Sequence, residues 1–313
     1  MSALRTFSLR YLLIYSLLTI TALPQTSPGS GKQQALWQKL ERSIVEIDGN
    51  LEGVMGVAIK DLTTGEKYLL HENEVFPQAS SIKIAILAEL YRQAQEGKLK
   101  LTDLYTVTTS DLVDDSPIMN GLTPGVTQIT LRDLATMVAA VSDNSAANVL
   151  IDRVGMENVN ALLDSLGLTH TRLRRKMMDL KAAAEGRENI STPAEMMTLL
   201  ESLYRGKEFG KPLTDDFFKV LSTKKDSWIP RDLPEDLRIA NKPGSLEGVR
   251  NDSGIVFLEK RPYILCVMTT YLRRERDGEE AISKTSLDTY RMFDRLSRAS
   301  EYGRVISPAN SGK

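Results

Sequence analysis

Strand-like runs stand near both ends of this chain, and helical runs fill the middle. Gly53-Val-Met-Gly-Val-Ala-Ile59 and Lys67-Tyr-Leu-Leu70 flank a Thr63-Thr64-Gly65 turn, the pattern of a hairpin. Ser253-Gly-Ile-Val-Phe257 and Tyr263 to Tyr271 read as a second strand pair. Outside these strands, Gln33 to Ile47 carries Leu36, Leu40, Ile44 and Ile47 on one stripe, and Ile282 to Leu296 reads as a closing helix. Between them, Thr130-Leu-Arg-Asp133 opens a helix to about Val141, and a further helix runs to Arg153 before Gly155. Thr192-Pro193-Ala194-Glu195 is a helix start whose following Met196, Met197, Leu199, Leu200 and Leu203 form a core stripe. The order predicts an α/β (α+β) fold: an antiparallel sheet flanked by terminal helices, interrupted by an all-helical lobe. The expected bounds are a globular domain over 33–298, its α/β lobe from 33–75 and 232–298, its helical lobe from 76–231, and a tail over 299–313.

Composition narrows the partners. The 40 basic and 41 acidic residues nearly cancel, which speaks against nucleic acid. One cysteine, Cys266 in the apolar run Tyr263 to Met268, excludes an internal disulfide and reads as a buried, inert thiol. Two histidines, His71 and His170, are too few for a histidine metal cluster, and neither sits in a nucleophile-base setting. Arg5 and Arg10 precede an uncharged apolar run from Tyr11 to Leu23 and then a small polar segment. Residues 1–24 therefore read as a secretory signal peptide, or as an uncleaved anchor that would be the chain's one link to a membrane. No cofactor, no metal and a monomeric state are expected.

The chemistry gathers at Phe76-Pro77-Gln78-Ala79-Ser80-Ser81-Ile82-Lys83. Ser80 and Lys83 form a Ser-x-x-Lys pair at the start of an apolar helical pattern, where residues three apart share a face. The Lys83 ammonium is therefore expected to reach the Ser80 hydroxyl, a weak nucleophile that needs a neighbouring base. A lone Ser-x-x-Lys is a weak signal, and this chain has a second, Ser222 to Lys225, with no other catalytic sign beside it. The first one has company: Ser142-Asp143-Asn144 follows, and then Lys242-Pro243-Gly244.

That ordered trio resembles the signature of class A β-lactamases and penicillin-binding proteins. Phe76 to Lys83 is similar to the class A nucleophile segment, and Ser142-Asp-Asn-Ser-Ala-Ala-Asn-Val-Leu150 to its second-motif helix, including Asn148. The resemblance runs from about Leu36 to Leu296 and implies a cleft between two lobes, with Lys242 on an edge strand. It implies Ser80 as nucleophile, Lys83 as its base, and Ser142 as proton relay to the leaving nitrogen. Asn144 would meet the substrate's amide, and Lys242 and Gly244 would belong to the substrate-binding strand. The backbone N–H groups of Ser80 and Ser245 would form the oxyanion hole.

Three departures stand against the family pattern. The loop Thr171 to Lys181 places Met177 where the family carries its deacylating glutamate, and Lys181 where it carries an asparagine. Asp179, Glu185 and Glu188 are nearby but at the wrong offset, and are expected to face solvent or pair with Arg172, Arg174 or Arg175. Pro243 replaces a hydroxyl residue, and Asp115 stands where many members have an aromatic side chain. Arg250 is read as a surface charge rather than a partner for a substrate carboxylate. The expected function is a secreted serine hydrolase that forms an acyl-enzyme on Ser80 and opens β-lactam bonds with slow deacylation. Two alternatives stay open: a cell-wall peptidase or esterase on the same scaffold, and a β-lactam- or muropeptide-binding module that acylates without turnover.

Overall fold

The computed structural model describes residues 31–300 and 302–305, so the expected signal or anchor lies outside the described residues. The chain opens with α1 (Gly31–Gly49), β1 (Val54–Asp61), β2 (Lys67–Leu70) and the two-residue β3 (Phe76–Pro77). A 3-10 turn over Ala79–Ile82 leads into α2 (Lys83–Gln95). Then follow β4 (Leu104–Thr106), β5 (Gln128–Thr130), α3 (Leu131–Val141), α4 (Asn144–Val154), α5 (Met156–Ser165) and the short α6 (Leu180–Ala184). The chain continues with β6 (Ile190–Ser191), α7 (Pro193–Tyr204) and α8 (Lys211–Leu221), and closes with β7 (Ile239–Leu246), β8 (Val249–Val256), β9 (Tyr263–Thr270) and α9 (Glu275–Arg298).

The sheet order is β2-β1-β9-β8-β7, and every pairing is antiparallel, as the sequence implies. Side chains alternate across it with period two. Tyr263, Leu265 and Val267 of β9 join a core with Trp37, Leu40 and Ile44 of α1 and Phe293 of α9. Ile264, Cys266 and Met268 face the other way, into a larger core shared with α2, α4, α7 and α8. Burial on both faces explains why β9 is an unbroken apolar run. Cys266 is buried as expected, and its thiol is pushed up to about 12 by burial.

The structure corrects several boundaries. Ile239–Leu246 is the edge strand that the resemblance implies for Lys242, whereas β8 starts at Val249 rather than Ser253. The closing helix begins at Glu275, ahead of Ile282, because its first turns are charged and carry no apolar stripe. The Ser80 segment does not open on an α-helix: Ser80 lies in the 3-10 turn, and α2 begins at Lys83. No helix among the described residues is long and apolar enough to cross a membrane.

Candidate active site

β7 is an edge strand, and its free side meets the turn that carries Ser80. Contact this close needs Gly244: a Cβ there would lie 2.6 Å from the Gln78 carbonyl and 2.9 Å from Ser81 N and Oγ. Ser81 Oγ donates to the Lys242 carbonyl at 3.0 Å, tying strand to turn. Pro243 has no N–H, so it fits a strand only where its nitrogen faces away from the neighbouring strand. Backbone sense repeats every second residue, so the N–H of Ser245 points off the same open edge.

The turn is held at its entrance as well. Gln78 N donates to the Asn189 carbonyl at 2.7 Å, and Asn251 Nδ2 donates to the Pro77 carbonyl at 2.7 Å. Ala79 then takes a left-handed backbone, φ +49°, which costs a non-glycine residue on the order of 1–3 kcal/mol. Ser142 (φ +59°), Asp115 (φ +53°) and Met178 (φ +63°) share that conformation, and all four line one cleft of about 500 Å³. Of seven non-glycine residues with positive φ among the described residues, four thus gather here, which marks a site that the surrounding packing over-determines.

Lys83 is fully buried, and its Nζ donates to the Ser142 carbonyl (2.6 Å) and Asn144 Oδ1 (2.7 Å) and lies 3.1 Å from Ser142 Oγ. The carbonyl and the amide oxygen can only accept, whereas a hydroxyl can also donate. A neutral amine satisfies all three by giving two N–H bonds and accepting one from Ser142. Burial first, and then the Lys242 charge, push Lys83 well below the ordinary lysine range; Asp143 and Asp115 oppose this. Lys242, equally buried, donates to Ser142 Oγ at 3.0 Å and to the Pro243 carbonyl at 2.9 Å. Burial and Lys225 lower it to about 7, with Asp252 pulling upward. Ser142 Oγ therefore bridges two lysines of weakened basicity.

The expected hydrogen bond from Lys83 to Ser80 Oγ is not made. From the first residue of α2 the ammonium reaches across to the α3–α4 junction, where two carbonyl-type acceptors hold it. Asn144 is likewise engaged: its amide nitrogen donates to the Asp114 carbonyl at 3.3 Å. Asp143 has a structural task, with one oxygen capping α4 at Ala146 N and the other receiving Ile118 N and Met119 N. Ser80, Ser142, Asn144, Lys242, Pro243 and Ser245 all line the cleft, joined by Asp115, Met177 and Met178.

Other residues fall elsewhere. Asp179 is exposed and caps α6 through Ala182 N, Glu185 pairs with Arg187, and Glu188 pairs with Arg175 at 2.9 Å. Ser222 Oγ accepts from Arg238, and Lys225 donates to the Leu221 carbonyl, so the second Ser-x-x-Lys makes no pair. Arg250 is held by Glu279 (3.0 Å) and Glu275 (3.4 Å) and donates to two carbonyls. His170 packs against Glu195 at 3.1 Å, and His71 against the Met55 carbonyl. Arg231, with no motif to announce it, lines the cleft beyond Trp228 and keeps only a 3.4 Å contact with Glu279. Among the described residues, no group of three or more His, Cys, Asp or Glu side chains could hold a metal ion.

A five-stranded antiparallel sheet with its terminal helices on one face, and a serine turn against its edge strand, defines a β-lactamase-like serine hydrolase scaffold. Residues 36–293 match the beta-lactamase enzyme family, and the chain belongs to that family. Its likeness is to class A members. An imipenem-hydrolyzing beta-lactamase of Enterobacter cloacae is 29% identical over 252 residues, 76% of this chain and 84% of that protein. Beta-lactamase CARB-4 of Pseudomonas aeruginosa is 26% identical over 303 residues, 93% and 100% of the two chains. A solved ancestral class A beta-lactamase aligns with a TM-score of 0.76 at 28% identity, covering 81% of this chain and all of that one. The beta-lactamase from Sphaerobacter thermophilus DSM 20745 gives 0.74 at 28% identity, covering 81% and 96%.

Proposed function

We propose that this chain is an exported serine hydrolase that forms an acyl-enzyme on Ser80 and opens β-lactam amides, with slow release of the acyl group. The observation that carries the reading is the chain of contacts Lys83–Ser142–Lys242 lying beside the Ser80 turn. Ser80 Oγ adds to the substrate carbonyl while its proton passes to the neutral amine of Lys83, a hydrogen bond that forms only once substrate is bound. The N–H groups of Ser80 and Ser245 receive the oxyanion. Ser142 then delivers a proton to the departing nitrogen as the C–N bond breaks, and Lys83 restores it. Export rests on the basic-then-apolar pattern of residues 1–24.

Slow release rests on Met177. Its thioether can neither orient nor deprotonate water, and the carboxylates of its loop are committed to a helix cap or to arginines, or face solvent. A missing general base costs about 10²–10⁴-fold. Intact-protein mass during incubation with a chromogenic cephalosporin tests the reading: one acyl group per chain forms in a burst, then turns over slowly. Ser80→Ala removes the adduct. Undiminished labelling of that variant moves the nucleophile elsewhere, and fast turnover without a burst overturns slow release.

A further inference from the structure

We propose that Met177, Met178 and Leu180 form an apolar subsite for the acyl half of the substrate, so that medium-length alkyl or aryl acyl groups are preferred. The inference rests on the acyl-enzyme reading of Ser80 and adds the substrate class to it.

Met177 is fixed by a two-point clamp: its N–H donates to Asn148 Oδ1 at 2.8 Å, and Asn148 Nδ2 donates to its carbonyl at 3.1 Å. Asn148 lies one turn along α4 from Asn144, the amide that holds Lys83, so the Met177 backbone is anchored close to that lysine; its side chain is largely buried and shows the cleft only its edge. The left-handed Met178 then turns the chain, and Leu180 opens α6 with 68% of its surface exposed. Asp179, between them, is turned to its own helix cap. All three apolar residues line the cleft, and Val141, 40% exposed and next to Ser142, adds an apolar surface to it. The lining also carries Asp226 and Arg231, from the connection between α8 and β7, and Lys242 on β7. A substrate is thereby oriented, its acyl chain on the methionine wall and its leaving group toward the lysine.

With an aryl ester, the bond from Ser80 Oγ to the acyl carbon forms as the carbonyl–oxygen bond to the phenol breaks. The serine proton leaves through Lys83, and water later returns free acid and serine.

The test is a series of 4-nitrophenyl esters from acetate through butyrate and hexanoate to octanoate, with Ser80→Ala as the background. A fully buried methylene is worth roughly three- to fourfold, so the acylation rate is expected to rise about tenfold or more from butyrate to octanoate. Leu180→Gln and Met178→Gln should flatten that rise; Leu180 is mostly exposed, so its replacement leaves the fold intact. Ser80 acylated at one rate regardless of chain length overturns the subsite alone. Failure of every ester and of the cephalosporin to label Ser80 overturns the acyl-enzyme reading beneath it.

Discussion

Lys242 is buried with its ammonium between a hydroxyl and a carbonyl, and among the described residues it forms no ion pair with a carboxylate. Its charge is free to meet an incoming anion, and Pro243 has removed the hydroxyl that would share the task. With its pKa lowered to about 7, Lys242 is charged below that pH and neutral above it. The kcat/KM for a carboxylate-bearing substrate, divided by that for a neutral ester, should therefore fall as pH rises through about 7. Taking the ratio removes the pH dependence of Lys83, which both substrates share. A charge-assisted hydrogen bond contributes about 1.5–3 kcal/mol, so Lys242→Ala should lower the ratio roughly tenfold to a hundredfold and flatten its pH dependence. Equal losses for both substrates would assign Lys242 to the proton relay alone. The three motifs made these residues legible. Arg231 was not, because an arginine that lines a cleft looks in sequence like any other.

The contact between β7 and the serine turn carries the site's geometry, and one glycine permits it. Gly244→Ala places a methyl against backbone atoms of the very turn that presents Ser80, and backbone cannot swing aside as a long side chain can. Overpacking of this kind costs about 1–3 kcal/mol, while a nucleophile displaced by about 1 Å loses on the order of a hundredfold in rate. Acylation measured by intact mass should thus fall far more than the urea midpoint. An unchanged acylation rate would show that the turn does not need this contact. β7 was not legible from residue pattern, because Pro243 and Gly244 argue against a strand interior; the family resemblance alone put Lys242 on an edge strand, the position that reconciles both residues with the ladder. α5 and α8 escaped as well, lacking capping signals as plain as Thr192-Pro193. The left-handed turns at Ala79, Ser142 and Met178 leave no mark at all, since tertiary packing rather than glycine enforces them. The antiparallel sheet and its terminal helices were legible because their periodicities are long and their burial two-sided.

Half-buried Lys225 and buried Lys242 give the whole molecule an electrostatic cost that reaches the cleft. Lys225 follows α8 and donates to the Leu221 carbonyl at 2.7 Å. Burial lowers it to about 8, with Asp252 opposing, and its charge in turn depresses Lys242. Asp252 is already occupied, receiving Trp228 N, Ile229 N and Asn241 Nδ2 at 2.8–3.0 Å. The unfolded chain holds the Lys225 proton up to its ordinary value of 10.5, whereas the folded chain releases it near 8. Between those values the unfolded state binds more protons, so stability rises with pH; below about 8 both states are charged and the full cost remains. That cost is on the order of 3 kcal/mol. Lys225→Met removes it along with one hydrogen bond worth about 1 kcal/mol, so a net gain of roughly 2 kcal/mol is expected at pH 6–7. The gain should shrink as pH rises past 8, read from urea midpoints at pH 6.5, 7.5 and 9.5. The same variant frees Lys242 from its like-charged neighbour, so the pH at which the preference for anionic substrates fades should move upward. A gain over the wild-type protein no larger at pH 6.5 than at 9.5, with that preference unmoved, would show that Lys225 neither strains the fold nor speaks to the cleft.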